Sequence, residues 1–162
     1  MGALADETTS IEFRDGVVDR GPGALLAQGM RDEIAAMYDG LDLDGEDMPK
    51  AGATELTPPD GAFLVGWRDG EALCCGGVKR LDERTCEIKR MFVVPQARGQ
   101  GVARALLTAL EDRARALGYV IARLDTGPRQ AHAEHFYRRS GYAPIANFNR
   151  NPVASFWGEK PL

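Results

Sequence analysis

The residues of this 162-residue chain with the clearest chemical promise are Arg98-Gly99-Gln100-Gly101-Val102-Ala103. Two glycines let the backbone take positive φ and let a ligand approach the main chain with no Cβ in the way. Where a helix starts just after them, its first N–H groups lack partners and its dipole presents a positive end. A turn of this kind binds anions, and a phosphate or pyrophosphate suits it best. Two common phosphate-binding patterns do not fit. A Walker A loop needs a lysine after its glycines, and none follows here. A dinucleotide fingerprint needs a third glycine where Arg104 stands.

Such a turn needs a strand before it and a helix after it, and its flanks supply both. Ile88, Met91, Phe92, Val93 and Val94 suit a pleated sheet, and Pro95 ends the ladder, so Glu87 to Val94 is expected to be a central strand. Ala103, Leu107, Leu110, Ala114 and Leu117 recur at steps of four and three, the apolar face of a helix closed by Gly118. Upstream, Ser10 to Arg14 is a short strand. A helix begins near Pro22 with a stripe of Leu26, Met30, Ile34, Met37 and Leu41. Asp39 to Pro59 is a long connection with at most one helical turn, expected to form a substrate-side wall. Ala62 to Trp67 and Ala72 to Leu81 form a hairpin about Asp69-Gly70, with a bulge expected at Gly76-Gly77. A turn at Asp82 to Thr85 then leads into the central strand. Downstream come a strand (Tyr119 to Asp125), a helix (Ala131 to Ser140) ended by Gly141, and strands at Tyr142 to Ile145 and Val153 to Glu159. An antiparallel meander followed by strand-helix-strand-helix-strand is a mixed α/β (α+β) order, expected as a single domain over 1–162 with residues 1–9 frayed.

The pattern Arg98-x-x-Gly101-x-Ala103 behind Glu-Ile-Lys-Arg-Met-Phe-Val-Val-Pro closely resembles the acetyl-CoA motif of the GCN5-related N-acetyltransferase (GNAT) family. Ala133-Glu134-His135-Phe136-Tyr137-Arg138-Arg139-Ser140-Gly141-Tyr142 resembles that family's second signature, Ala-x-x-Phe/Leu-Tyr-x-x-x-Gly-Phe/Tyr. The resemblance covers nearly the whole chain, most firmly residues 86 to 145. It implies a GNAT-like acyl-CoA N-acyltransferase fold whose strands at Glu87 to Val94 and Tyr119 to Asp125 are parallel neighbours that splay apart around the cofactor. Main-chain N–H groups of Arg98, Gly99, Gln100, Gly101, Val102 and Ala103 would cradle the pyrophosphate of acetyl-CoA. The edge of Phe92, Val93 and Val94 would pair with the pantetheine arm like an added strand, with an N–H near Val93 as oxyanion donor. Tyr137 would give a proton to the departing thiolate, since a phenol of pKa near 10 is protonated at neutral pH. Gln130 stands where the family frequently has asparagine, within reach of the pantetheine.

The same resemblance makes Glu87 the base that deprotonates the amine through water. Glutamate is depleted in strands, so its place in a central one asks for a reason, and alternation puts it on one face with Met91. The other reading is an ion pair with Lys89 or Arg80. The implied activity is acetyl transfer in a ternary complex to a primary amine of a small or amino-acid-like acceptor. A protein lysine or N-terminal acceptor is the alternative, as is a module that binds acetyl-CoA without turnover.

The composition, 44% hydrophobic and 27% charged with mean hydropathy −0.30, is that of a globular protein. No apolar run approaches the roughly 20 residues that span a membrane, and no signal peptide opens the chain, so a cytoplasmic location is expected. A net charge of −4 argues against nucleic acid as a partner. Cys74, Cys75 and Cys86 read as strand-core thiols, and His132 and His135 as solvent-facing rather than metal ligands. Arg138-Arg139 reads as a solvated helix face, with the cofactor's 3′-phosphate as the other possibility. Monomer and homodimer are both open.

Overall fold

The computed structural model describes residues 10–162, so the expected fraying of residues 1–9 lies outside the described residues. The Asp69-Gly70 hairpin forms as its sequence dictates: both residues take positive φ, 51° and 79°, as a two-residue turn matched to strand twist requires. It joins β2 (Ala62–Arg68) to β3 (Glu71–Arg80), with β1 (Glu12–Asp15) on the outer edge of β2. At the next turn Asp82 Oδ1 accepts from the N–H groups of Arg84 (2.8 Å) and Thr85 (2.9 Å) and starts β4 (Thr85–Val93). After a short 3₁₀ turn at Pro95–Ala97 come α2 (Val102–Ala116), β5 (Ile121–Thr126), α3 (Ala131–Arg139), β6 (Ala143–Pro144) and β7 (Phe156–Pro161). One sheet holds all seven strands in the order β1-β2-β3-β4-β5-β7-β6, antiparallel except for β4 and β5. The late insertion of β7 between β5 and β6 is a long-range pairing that strand patterns in the chain do not announce.

α1 (Gly21–Met37) carries Pro22 in its first turn, buries Ile34, and packs Leu26 and Ala27 on one face of the sheet beside Phe63, Val65 and Phe92. It ends before Leu41, which belongs to the connection 39–59 instead of the helical stripe. α2 buries Val102, Leu106, Leu107, Leu110 and Ala114 on the opposite face, and Ala103 is only half-buried. Gly118 (φ 99°) ends α2 as expected: its N–H reaches the Arg115 carbonyl, and the Tyr119 N–H reaches Ala114. Gly141 ends α3 in the same way and sets Tyr142 behind Tyr137.

The bulge forms at the level of Gly76, but the extra residue is on β4. Between the pairs Cys75↔Phe92 and Gly77↔Lys89, β3 has only Gly76, whereas β4 has Arg90 and Met91, with Arg90 at φ 60°. Gly76 serves by staying small, because a Cβ there would lie 2.6 Å from Leu110 Cδ1. The bulge reverses the inside-outside order of the strand. Met91 and Val93 therefore pack on the α2 side and Phe92 on the α1 side, so Glu87 and Met91 do not share a face as simple alternation predicts.

Candidate active site

Gly99 and Gly101 both lie in the left-handed region, at φ 77° and 80°. Gly101 is the N-cap of α2, and no side chain caps the helix. A Cβ built on either glycine meets nothing within 4 Å, so the space above the turn is open. The N–H groups of Val102, Ala103 and Arg104 open the helix without intrahelical partners, and the exposed turn fits a pyrophosphate. Arg98 points elsewhere: its Nε donates to the Val93 carbonyl (2.9 Å) and its NH2 to Glu33 Oε2 (2.7 Å), with the guanidinium over Phe92. The Gln100 side chain joins Arg68 and the Gln96 carbonyl. The Val94 N–H donates to Leu73 on β3 (2.9 Å). Alternation therefore turns the N–H and C=O of Val93 to the other edge of β4.

That edge is open because β4 and β5 part. Their parallel register comprises Thr85↔Ile121, Cys86↔Ala122 and Glu87↔Arg123 and stops at Glu87. A cavity of about 100 Å³, open at its mouth, lies where they separate. Met30 and Ile34 of α1 and Tyr38 just past its end line it together with Leu41, Leu43 and Met48, so the connection 39–59 is a wall of this space. Arg90 holds that wall through the Leu43 and Ala51 carbonyls (3.5 Å each) and Asp44 (3.3 Å). Lys89, Met91, Asp125, Gln130 and Tyr137 are also in the lining.

Tyr137 is half-buried, its hydroxyl 3.7 Å from Met91 Sδ. Burial, and secondarily the charge of Asp125, pushes its pKa above the ordinary phenol value, so the proton stays in place at neutral pH. Gln130 Oε1 accepts from the Tyr38 hydroxyl and the Gly127 N–H, both at 3.2 Å, which leaves any contact with pantetheine to its amide nitrogen. His132 and His135 are exposed. Arg138 pairs with Glu134 (3.1 Å) on the solvent side of α3. The three cysteines are buried and free, as expected.

Glu87 is fully buried and does not line the cavity. Its Oε2 lies 3.2 Å from Lys89 Nζ and accepts from Asn149 Nδ2 at 2.9 Å, while Oε1 has no partner. The same Asn149 Nδ2 donates to Asp125 Oδ2 (2.6 Å), which also accepts from Asn151 Nδ2 (2.9 Å). Trp157 Nε1 donates to Asn149 Oδ1 (3.0 Å) and fixes that amide's orientation. Two carboxylates, a lysine and two asparagines thus form one network at the fork. Sequence reasoning found Glu87 and Lys89 but missed Asp125, Asn149 and Asn151. The signal for Asp125 was the one that singled out Glu87, an acid in a buried strand.

A glycine turn opening a helix, a bulged strand with a free edge, and a phenol beside the gap between two diverging parallel strands define a CoA-dependent acyl transferase. The profile of the Acetyltransferase (GNAT) family matches residues 28–142, and the chain belongs to that family as an acetyl-CoA-dependent N-acetyltransferase. A relative from Azospirillum brasilense named IAA acetyltransferase is 41% identical over 111 residues, 66% of this chain and 72% of its own length. The structure of a GNAT-family acetyltransferase from Staphylococcus aureus Mu50 superposes with TM-score 0.75 at 16% identity, covering 94% of this chain and 99% of that one. A GNAT-family acetyltransferase from Elizabethkingia anophelis with acetyl-CoA bound gives TM-score 0.67 at 16% identity, covering 95% and 99%. Among the described residues no helix is long and apolar enough to cross a membrane.

Proposed function

We propose that this chain acetylates the primary amine of a small-molecule acceptor held in the cavity at the β4–β5 fork. The observation that carries this reading is the wall: Leu41, Leu43 and Met48 line the cavity and Arg90 latches the segment that carries them, so the acceptor meets a walled pocket instead of an open peptide groove. Acetyl-CoA supplies the acetyl group as a thioester. The main chain from Arg98 to Ala103 holds the pyrophosphate, and Phe92, Val93 and Val94 offer their open edge to the pantetheine. For that pairing the Arg98 guanidinium must leave the Val93 carbonyl. The Val93 N–H, on the same edge, is aimed at the thioester oxygen as negative charge builds there. Tyr137 gives its hydroxyl proton to the departing sulfur and recovers one from the acetylated nitrogen. Glu87, the base that the family resemblance implies, is fully buried and does not line the cavity, so it acts on the acceptor's proton only through its neighbours Lys89 and Asn149.

The test is thiol release from acetyl-CoA with a panel of primary amines, 2-phenylethylamine, tryptamine and butylamine among them. The expected outcome is release that depends on the amine and saturates with it. Acetyl-CoA binding with no release for any amine, peptide amines included, would turn the reading toward a non-catalytic binder.

A further inference from the structure

We infer that Asp125 seats the acceptor's ammonium group, and that the acceptor is a primary amine with an apolar body and no carboxylate. The inference rests on the acceptor cavity proposed above and narrows what fills it.

The first observation is position. Asp125, the next-to-last residue of β5, has its side chain 10% exposed, lines the cavity, and is close enough to Tyr137 for its charge to act on the phenol. Glu87 is sealed off behind it. The second is a shortage of donors. Asp125 Oδ2 has two amide donors, but Oδ1 has only Lys89 Nζ at 3.9 Å, beyond hydrogen-bond distance. Glu87 Oε1 is buried with no partner at all. Buried carboxylate oxygens are rarely left in that condition, and of the two residues it is Asp125, short of a donor at Oδ1, that lines the cavity. The third is charge. Glu87 and Asp125 face Lys89 as their one ion-pair partner, and Arg90, whose charge also acts on both, is tied to Asp44, so an alkylammonium adds a cation that directly contacts Asp125.

The cavity's cations are already engaged, which excludes a carboxylate on the acceptor. Lys89 is held by Glu87, and Arg90 by Asp44 and two carbonyls of the wall. On the side of α1 and the wall the lining is Met30, Ile34, Leu41, Leu43 and Met48, which suits an alkyl or aryl body, while the polar side chains of Thr126, Gln130 and Asn151 lie around Asp125. With the ammonium on Asp125 Oδ1, one N–H bond breaks and an O–H bond forms at Oδ1. The carboxylate becomes a neutral carboxyl and the nitrogen keeps the lone pair that attacks. Glu87 then acts through Lys89 and Asn149 as a positioning residue.

Calorimetry on the CoA-loaded protein tests this without turnover, using 2-phenylethylamine, butylamine, phenylalanine and 2-phenylethanol as probes. The wild type is expected to bind the two amines at least about 10-fold more tightly than the amino acid or the alcohol. Asp125→Asn is expected to weaken amine binding by about 30-fold or more, the scale of losing one partner of a buried charge pair. Asp125→Glu keeps the charge and is expected to recover part of the loss, and it stands in should Asp125→Asn fail to fold. Glu87→Gln is expected to weaken the amine less than Asp125→Asn does and to change the pH profile of kcat/KM less. Equal amine affinity in wild type and Asp125→Asn, failure of both amines to bind the wild type, preference for phenylalanine, or a larger loss in Glu87→Gln would each overturn the inference. Asp125-dependent amine binding without thiol release would uphold it while removing the proposed activity.

Discussion

The cofactor turn and the acceptor fork share β4, yet they are built by opposite means. The turn is a run of consecutive residues that works through its main chain, and side-chain identity matters there mainly where glycine must be. The fork takes Glu87 and Lys89 from β4, Asp125 from β5, Asn149 and Asn151 from the segment before β7, and Trp157 from β7 itself. It works through side chains, and none of its members is meaningful until the sheet is assembled. A local main-chain site is therefore fixed for any substrate, whereas a site gathered from distant segments is free to vary with the acceptor.

The sharpest way to break this contrast is Gly101→Val. A β-branched residue at φ 80° costs about 1–2 kcal/mol in the fold, but its Cβ meets no protein atom, so the chain should still fold. CoA affinity measured by calorimetry is expected to drop by at least about 100-fold, because the side chain enters the space where the main chain meets the pyrophosphate. Undiminished affinity would mean that side chains, not the turn, hold the cofactor.

Tyr137→Phe probes the boundary between the two regions. Ring packing against Phe136 and Tyr142 survives while the hydroxyl is lost. CoA affinity should hold while kcat falls by about 10- to 1000-fold. Because the phenol's pKa is raised, the wild-type profile should show no alkaline limb from Tyr137 at or below its ordinary value of 10. An unchanged kcat in the variant would assign the sulfur's proton to solvent.

The smallest effect concerns the sheet beneath both regions. Burial pushes the thiol of Cys74 up to about 11 and those of Cys75 and Cys86 to about 12, from 9.0. Above pH 9 the unfolded chain releases thiol protons that the folded chain must keep, so the folded state binds more protons and stability falls as pH rises. The loss begins at about 1 kcal/mol for the three thiols together at pH 9 and grows toward pH 12. Melting temperature followed from pH 8 upward should decline accordingly, and with it both activities together. A flat melting temperature to pH 10 would contradict the burial of these thiols.

How much of the molecule could be seen in its sequence follows the same division. Glycines, prolines and apolar periods gave the hairpin at Asp69-Gly70, the start of α1, the starts and ends of α2 and α3, and the phosphate turn, because each is decided by residues close in the chain. The bulge was sensed at Gly76, but its extra residue fell on the partner strand. Nothing in Arg90-Met91 marks a residue that will take positive φ, because the bulge is decided by how β4 pairs with β3. Asp125 carried a weak local signal. Asn149 and Asn151 carried none, because their role depends on β7 entering the sheet beside β5.

The central claim is that one chain joins a main-chain cofactor site to a side-chain amine site and moves an acetyl group between them. Initial rates of thiol release, with acetyl-CoA and 2-phenylethylamine varied against each other in wild type, test it most directly. The account predicts rates that vanish without the amine, saturate in both substrates, and give intersecting reciprocal plots, as a ternary complex requires. Saturable binding of acetyl-CoA with no amine-dependent release across the whole amine panel would contradict it.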